Sequence, residues 1–143
     1  MITMVDGVSG CGKSTQLLAW VAHKPFHIYR HNGYLPGSKK DWARLMQHDQ
    51  RMGEHVLWDR FFTSDLVYSR LRGETSHLTV DEALWLLHNG ASNDEVRAEI
   101  WVPRPDDPLL PPSKVEEVNV YADVATELRI PIRWRKYIGN SEG

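Results

Sequence analysis

The sequence predicts an α/β domain built on a mainly parallel sheet with helices on both faces, and three observations predict it. Strand-like apolar stretches alternate with helical ones along the chain. The first strand runs without a gap into Gly7-Val8-Ser9-Gly10-Cys11-Gly12-Lys13-Ser14-Thr15, which fits the phosphate-binding pattern G-x-x-x-x-G-K-[ST]. With 143 residues and 41% hydrophobic content, the chain can bury one real core, so a single domain over 1–143 is expected.

The elements follow in order. Ile2, Met4 and Val5 make the first strand, and Leu17, Leu18 and Val21 the apolar face of the first helix. That helix ends near His23-Lys24, because Pro25 cannot continue it. Phe26-His27-Ile28-Tyr29 reads as the second strand, and Asn32-Gly33 and Pro36-Gly37 mark an exposed loop. Ser38-Lys39-Lys40-Asp41 opens a second helix like a capping box, with Trp42, Leu45 and Met46 on its inner side. The third strand, His55-Val56-Leu57-Trp58, ends on Asp59-Arg60. Thr63 is placed to cap a helix with Leu66, Val67 and Leu71 inside, and Thr79-Val80-Asp81-Glu82 is a full capping box for a fourth helix, closed by Asn89-Gly90. Glu99-Ile100-Trp101-Val102 reads as the fourth strand. The stretch from Pro103 to Pro112 then holds five of the eight prolines and reads as a stiff, extended loop. Ser113-Lys114-Val115-Glu116 caps the last helix, which carries Val118, Ala122, Ala125 and Leu128 at helical spacing. Ile130-Pro131-Ile132-Arg133-Trp134 is the fifth strand, placed at an edge because Pro131 lacks a ladder donor.

Charge and composition bound the partners. A net charge of −2 gives no global attraction to nucleic acid or membrane, so any polyanion site is local and a small phosphorylated ligand is favoured. One cysteine, Cys11, makes no internal disulfide, and no apolar run of about 18 residues or secretory leader is visible, which points to a cytoplasmic protein. The seven histidines read as single surface or partly buried residues, so no zinc site is expected. Trp42 and Trp58 read as core, with stacking on a base as the sharper alternative for Trp42. Arg133-Trp134-Arg135-Lys136-Tyr137 mixes charge with aromatics, but on an acidic chain this is a weak sign of nucleic-acid binding.

The chemistry concentrates at two places. Backbone N–H groups over Gly7, Ser9, Gly10, Cys11, Gly12, Lys13, Ser14 and Thr15 suit the phosphates of ATP, with the Lys13 ammonium on the β/γ-phosphates and the Ser14 hydroxyl on Mg²⁺. At Cys11 the backbone N–H is the expected binding group, and a redox role for its thiol is the alternative. Asp59, at the carboxyl edge of a strand adjacent to the loop strand, is the best second ligand to Mg²⁺ or proton acceptor. Arg60 can hold an acceptor phosphate bidentately.

Trp58-Asp59-Arg60-Phe61-Phe62-Thr63-Ser64-Asp65-Leu66-Val67-Tyr68 resembles the D-R-[YF]-x-x-S-x-x-x-Y segment of thymidylate kinases and their small phage-type relatives. The resemblance covers the chain in outline and two segments in detail. It implies a P-loop NTPase fold with strand order 2-3-1-4-5 and transfer of the ATP γ-phosphate to a deoxynucleoside monophosphate, dTMP first among them. It also implies Asp59 near Mg²⁺ and the acceptor oxygen, Arg60 on the acceptor phosphate, and Phe61 and Ser64 shaping the pocket. Arg30, just after the second strand, is a looser candidate for the acceptor side. The chain departs from the family in three ways. Ser9 stands where the family places Asp or Glu. The arginine-bearing lid is reduced to the proline-rich stretch around Arg104, with Arg70 and Arg72 as other replacements. The adenine pocket must be shallow or come from residues Arg135 to Gly139. A monomer or homodimer is expected. Two alternatives remain: a kinase of another acceptor, such as a nucleoside, a gluconate-like metabolite or a nucleic-acid end, and a nucleotide-binding module without catalysis.

Overall fold

Every residue of β1 (Ile2–Gly7) is buried, as befits the middle strand of a sheet covered on both faces. The computed structural model describes residues 1–23, 28–32, 37–53, 55–91 and 96–139. β1 pairs in parallel with β3 (Val56–Asp59) on one side and β4 (Val96–Val102) on the other. β2 (Ile28–His31) and β5 (Ile132–Trp134) form the edges, and the order is β2-β3-β1-β4-β5, all parallel. The expected order and the edge position of the proline-bearing strand are both present. The carbonyl of Pro131 accepts from the Ile100 N–H at 3.0 Å, a bond that needs no donor on the proline.

Among the described residues five helices cover the sheet: α1 (Lys13–His23), α2 (Lys39–Met52), α3 (Thr63–Arg72), α4 (Val80–Asn89) and α5 (Val115–Glu127). Both capping boxes form, Ser38 with Asp41 on α2 and Thr79 with Glu82 on α4. Two caps differ from expectation. Thr63 lies inside α3, after Phe62, and its hydroxyl donates to Asp6 instead. A short 3₁₀ turn, Pro112–Lys114, precedes α5 in place of a Ser113 cap. β2 runs on to His31, and β4 begins at Val96, three positions earlier than its apolar end suggests, because Val96 to Glu99 are less deeply buried. Lys24, Pro25, Phe26 and His27, expected at the first helix end and second strand, and Gly33 and Pro36 of the next loop, lie outside the described residues.

The main core gathers Met4, Trp42, Met46, Trp58, Phe61, Phe62, Leu86, Val102 and Tyr121 between the sheet and α2 to α5. A smaller cluster of Val5, Cys11, Leu17, Leu57 and Trp101 lies under α1. Trp42 belongs to the core, tilted against Trp58 and edge-on to Phe62 with centroids at 5.8 Å in both pairs, and so does not stand ready to stack on a base. No helix among the described residues is long and apolar enough to cross a membrane.

Asp49 is the polar member of this core. It follows Trp42 by seven positions, which puts it on the inward stripe of α2. Arg30 donates to it bidentately at 2.6 and 2.8 Å, Trp58 Nε1 at 2.8 Å and His48 Nδ1 at 3.1 Å. Burial opposes its ionisation, but the bonds from Arg30, His48 and Trp58 outweigh it and hold the carboxyl below its usual range. Asp49→Ala is expected to lose about 3 kcal/mol, because it strands the buried Trp58 N–H and frees Arg30. Urea unfolding followed by tryptophan fluorescence measures this, and a loss under about 1 kcal/mol would contradict it.

Candidate functional site

The phosphate-pattern loop leaves β1 at Gly7 and enters α1 at Lys13. Gly7 sits so close to β4 that a Cβ would lie 1.9 Å from the Trp101 carbonyl oxygen, the atom that accepts the Val8 N–H at 3.2 Å. Gly10 has φ +91°, and a Cβ there would meet the Tyr137 ring at 2.6 Å. The segment after β5 lies across the loop: Ile138 and Gly139 donate backbone bonds to the Gly10 carbonyl at 2.7 and 3.2 Å. The Gly12 carbonyl accepts from Gln16, starting α1, while Ser14 is half-buried and Thr15 exposed on its first turn. Cys11 is buried, its thiol donating to the Val8 carbonyl at 3.0 Å. Burial pushes that thiol up, despite Lys13 and Arg135 nearby, so it is a poor redox switch.

β1 and β3 are neighbours, as expected, and Lys13 and Asp59 meet where they end, a pairing the sequence reading did not foresee. Both are buried, and the Lys13 ammonium donates to Asp59 Oδ1. Oδ2 accepts from His31 Nδ1 at 2.9 Å and the Tyr29 hydroxyl at 3.2 Å. Burial works against the Asp59 charge, yet the Lys13 ammonium and the His31 bond prevail and hold the carboxyl below its usual range.

Asp6, to which the sequence reading gives no role, accepts hydrogen bonds from five residues directly behind the loop. Its Oδ2 takes the Ser64 hydroxyl at 2.6 Å and the Thr63 hydroxyl at 2.7 Å. Its Oδ1 takes the Gly7 N–H at 2.8 Å, the Tyr121 hydroxyl at 3.1 Å and Arg60 Nη1 at 3.3 Å. A carboxylate interrupting an apolar strand directly before the first loop glycine was the available signal. Arg60 has φ +73° and a side chain 17% exposed, and its Nη1 also reaches Tyr68 and Tyr121. Its pKa is raised further because Asp6 and the two tyrosines outweigh the burial that would lower it.

Three expected acceptor residues are placed differently. Arg30 directs its guanidinium fork to Asp49, because a buried carboxylate matches that fork. Phe61 is a core residue, 1% exposed and edge-on to Phe62. Ser64 is buried and turned to Asp6, so it supports the site from behind. The lid replacements are engaged elsewhere as well. Arg70 pairs with Glu127, Arg72 with Glu74, and Arg104 lies over the Trp134 ring at 5.1 Å.

Two cations do reach the loop. Lys114 Nζ donates to Ser9 Oγ at 3.1 Å, and Arg135 Nε to the Cys11 carbonyl at 3.4 Å while stacking over Trp101 at 5.1 Å. Beside the loop, Cys11, Trp134, Arg135, Lys136 and Ile138 line an open cleft of about 290 Å³. Three of these residues, Arg135, Lys136 and Ile138, belong to the stretch from Arg135 to Gly139.

No protein-family model matches the chain, and no curated protein matches it by sequence. Among solved structures it is similar to the YorR protein from Bacillus subtilis, crystallised in complex with phosphorylated GDP. The TM-score is 0.61 at 16% identity, covering 96% of this chain and 86% of that one. The two proteins share a fold. It is the α/β arrangement expected from the sequence, a five-stranded sheet in the order 2-3-1-4-5 with helices on both faces.

Two measurements check this geometry. Gly7→Ala is expected to destabilise the protein by about 3 kcal/mol, since the clash is with backbone that cannot yield. Asp59, with its pKa depressed on folding, stabilises the protein above the unfolded carboxylate value of about 3.9, and that contribution disappears as pH falls through the lower folded value. The stability gap between wild type and Asp59→Asn in urea unfolding should therefore be full at pH 7 and shrink below about pH 4; a gap independent of pH would refute the assignment.

Proposed function

We propose that this chain is an ATP-dependent phosphotransferase whose acceptor is a nucleoside monophosphate, most favourably dTMP or another deoxynucleotide. The observation that carries the reading is the buried Lys13–Asp59 pair, formed where the glycine-rich loop and the carboxyl edge of β3 converge. A phosphate cradle, an ammonium and an ionised carboxylate are parts that phosphoryl transfer requires. On binding, the triphosphate would draw Lys13 from Asp59 onto its β- and γ-phosphates. Asp59 and the Ser14 hydroxyl are hard oxygen donors and fit Mg²⁺, which when bound offsets phosphate charge. Arg60, next to Asp59 and permanently charged, is the acceptor-phosphate group. Ser64 and Phe61 hold its surroundings in place. The cleft around Arg135 and Trp134 takes the donor base, with the Arg135 guanidinium as a stacking surface. YorR carries a phosphorylated GDP, so GTP belongs beside ATP as a donor to test.

A second reading has its own observation. Asp6 lies against Arg60 at 3.3 Å and already offsets part of its charge, which favours an acceptor without phosphate, such as a nucleoside, a sugar acid or a nucleic-acid end. A coupled ADP-release assay over nucleoside monophosphates and unphosphorylated acceptors separates the two. The first reading expects turnover dependent on a monophosphate, lost in Lys13→Ala, and a rise of at least tenfold, roughly, in acceptor KM for Arg60→Ala. Turnover with an unphosphorylated acceptor and an unchanged KM in Arg60→Ala would replace it with the second. Absence of acceptor-dependent turnover with every candidate would overturn both.

A further inference from the structure

We propose that Lys114 is a second phosphate-contacting cation, placed on the terminal phosphate of the nucleotide held by the glycine-rich loop. The proposal rests on the phosphotransferase reading and adds a residue to it that no sequence motif marks. Lys114 stands 105 positions from Ser9 in the chain, yet its ammonium is 3.1 Å from the Ser9 hydroxyl, within the loop itself. A rigid path brings it there. After the stretch 103–112, a 3₁₀ turn (Pro112–Lys114) sets Lys114 at the entrance to α5, and α5 is anchored by buried Val118, Tyr121, Val124 and Ala125.

Its ammonium is less closely paired with carboxylate than most of the cations described above. Arg30, Arg60 and Arg70 each have a carboxylate within 3.3 Å, and Lys13 is bound to Asp59. The carboxylate facing Lys114 is Glu117, at 4.0 Å, the outer limit of an ion pair. Glu117 in turn accepts from the Tyr68 hydroxyl at 3.2 Å, and Tyr68 is reached by Arg60 Nη1 at 3.4 Å. Lys114 thus stands between the loop that holds the donor phosphates and the arginine assigned to the acceptor. An ammonium there meets the γ-phosphate, the one phosphate that ATP has and ADP lacks. Its side chain is 19% exposed, so it has room to shift from Ser9 to a phosphate oxygen. A charge-assisted contact from Lys114 to phosphate adds to the positive charge that Lys13 brings to the loop.

The test compares Mg·ATP and Mg·ADP binding by calorimetry in the whole chain, for wild type, Lys114→Ala and Lys114→Arg. The expected result is a loss of about tenfold in ATP affinity for Lys114→Ala with ADP affinity changed less than about twofold, and recovery in Lys114→Arg. A purely structural role for Lys114 would weaken both nucleotides together, and that outcome overturns the proposal, as does an unchanged ATP-to-ADP ratio. Thermal melts of the variants identify a folding defect, and a Lys114→Ala protein that melts with wild type yet loses ATP and ADP equally also counts against it. If wild type binds neither nucleotide, the phosphotransferase reading itself fails and this proposal with it, a result distinct from failure of Lys114 alone.

Discussion

Asp6 brings a carboxylate to the fully buried end of the central strand, and donors from three other elements converge on it. Thr63 and Ser64 come from the start of α3, Tyr121 from α5 and Arg60 from the turn after β3, while the Gly7 N–H closes on it from the loop. A charge removed from water survives only when its lone pairs are met in this way, so the carboxylate dictates where α3 and α5 can sit. Their packing on each other follows, with Tyr68 and Tyr121 edge to face at 6.3 Å. The residue that precedes the first loop glycine thus ties the loop to the helices behind it.

The turn after β3 is the second constraint. Arg60 takes a left-handed backbone conformation at φ +73°, which costs a residue with a Cβ about 1 kcal/mol. Bonds at both ends offset it: the Arg60 N–H donates to the Val5 carbonyl at 2.7 Å, and its carbonyl accepts from Asn32 Nδ2 at 2.9 Å. The Asn32 N–H also donates to the Asp59 carbonyl at 2.9 Å. Asn32 therefore clamps the backbone of both residues proposed to act on the phosphates. The bend turns successive side chains apart, Asp59 toward Lys13 and Arg60 toward Asp6 and the tyrosines.

The cations divide into those that build the protein and those left at the loop. Arg30, Arg70 and Arg133 join elements by pairing with Asp49, Glu127 and Glu99. Arg104 covers an indole, and the nearby Asp107 accepts the Tyr137 N–H at 3.1 Å, tying the proline-rich segment to the strand of chain that crosses the loop. The proline-rich segment thus acts as a brace between the chain that crosses the loop and the turn that carries Lys114.

Legible from the residues alone were the alternation of strands and helices, the glycine-rich turn between the first strand and the first helix, both capping boxes, the edge position of the proline-bearing strand and the adjacency of the strands that carry the loop and Asp59. Each of these depends on local pattern or on the parallel topology that such patterns impose, and neither needs knowledge of a distant side chain. Tertiary structure alone decided which charges face the site. Arg30 and Arg60 look equivalent as exposed basic residues after strands, but one meets Asp49 and the other Asp6. Phe61 and Ser64 sit in a recognisable segment, yet burial made one core and bonding to Asp6 made the other a support. Lys114 carries no local signal at all. Ion pairs and buried hydrogen bonds form between residues tens of positions apart, and their strength depends on desolvation and angstrom-scale distance, which periodicity and spacing along the chain do not encode.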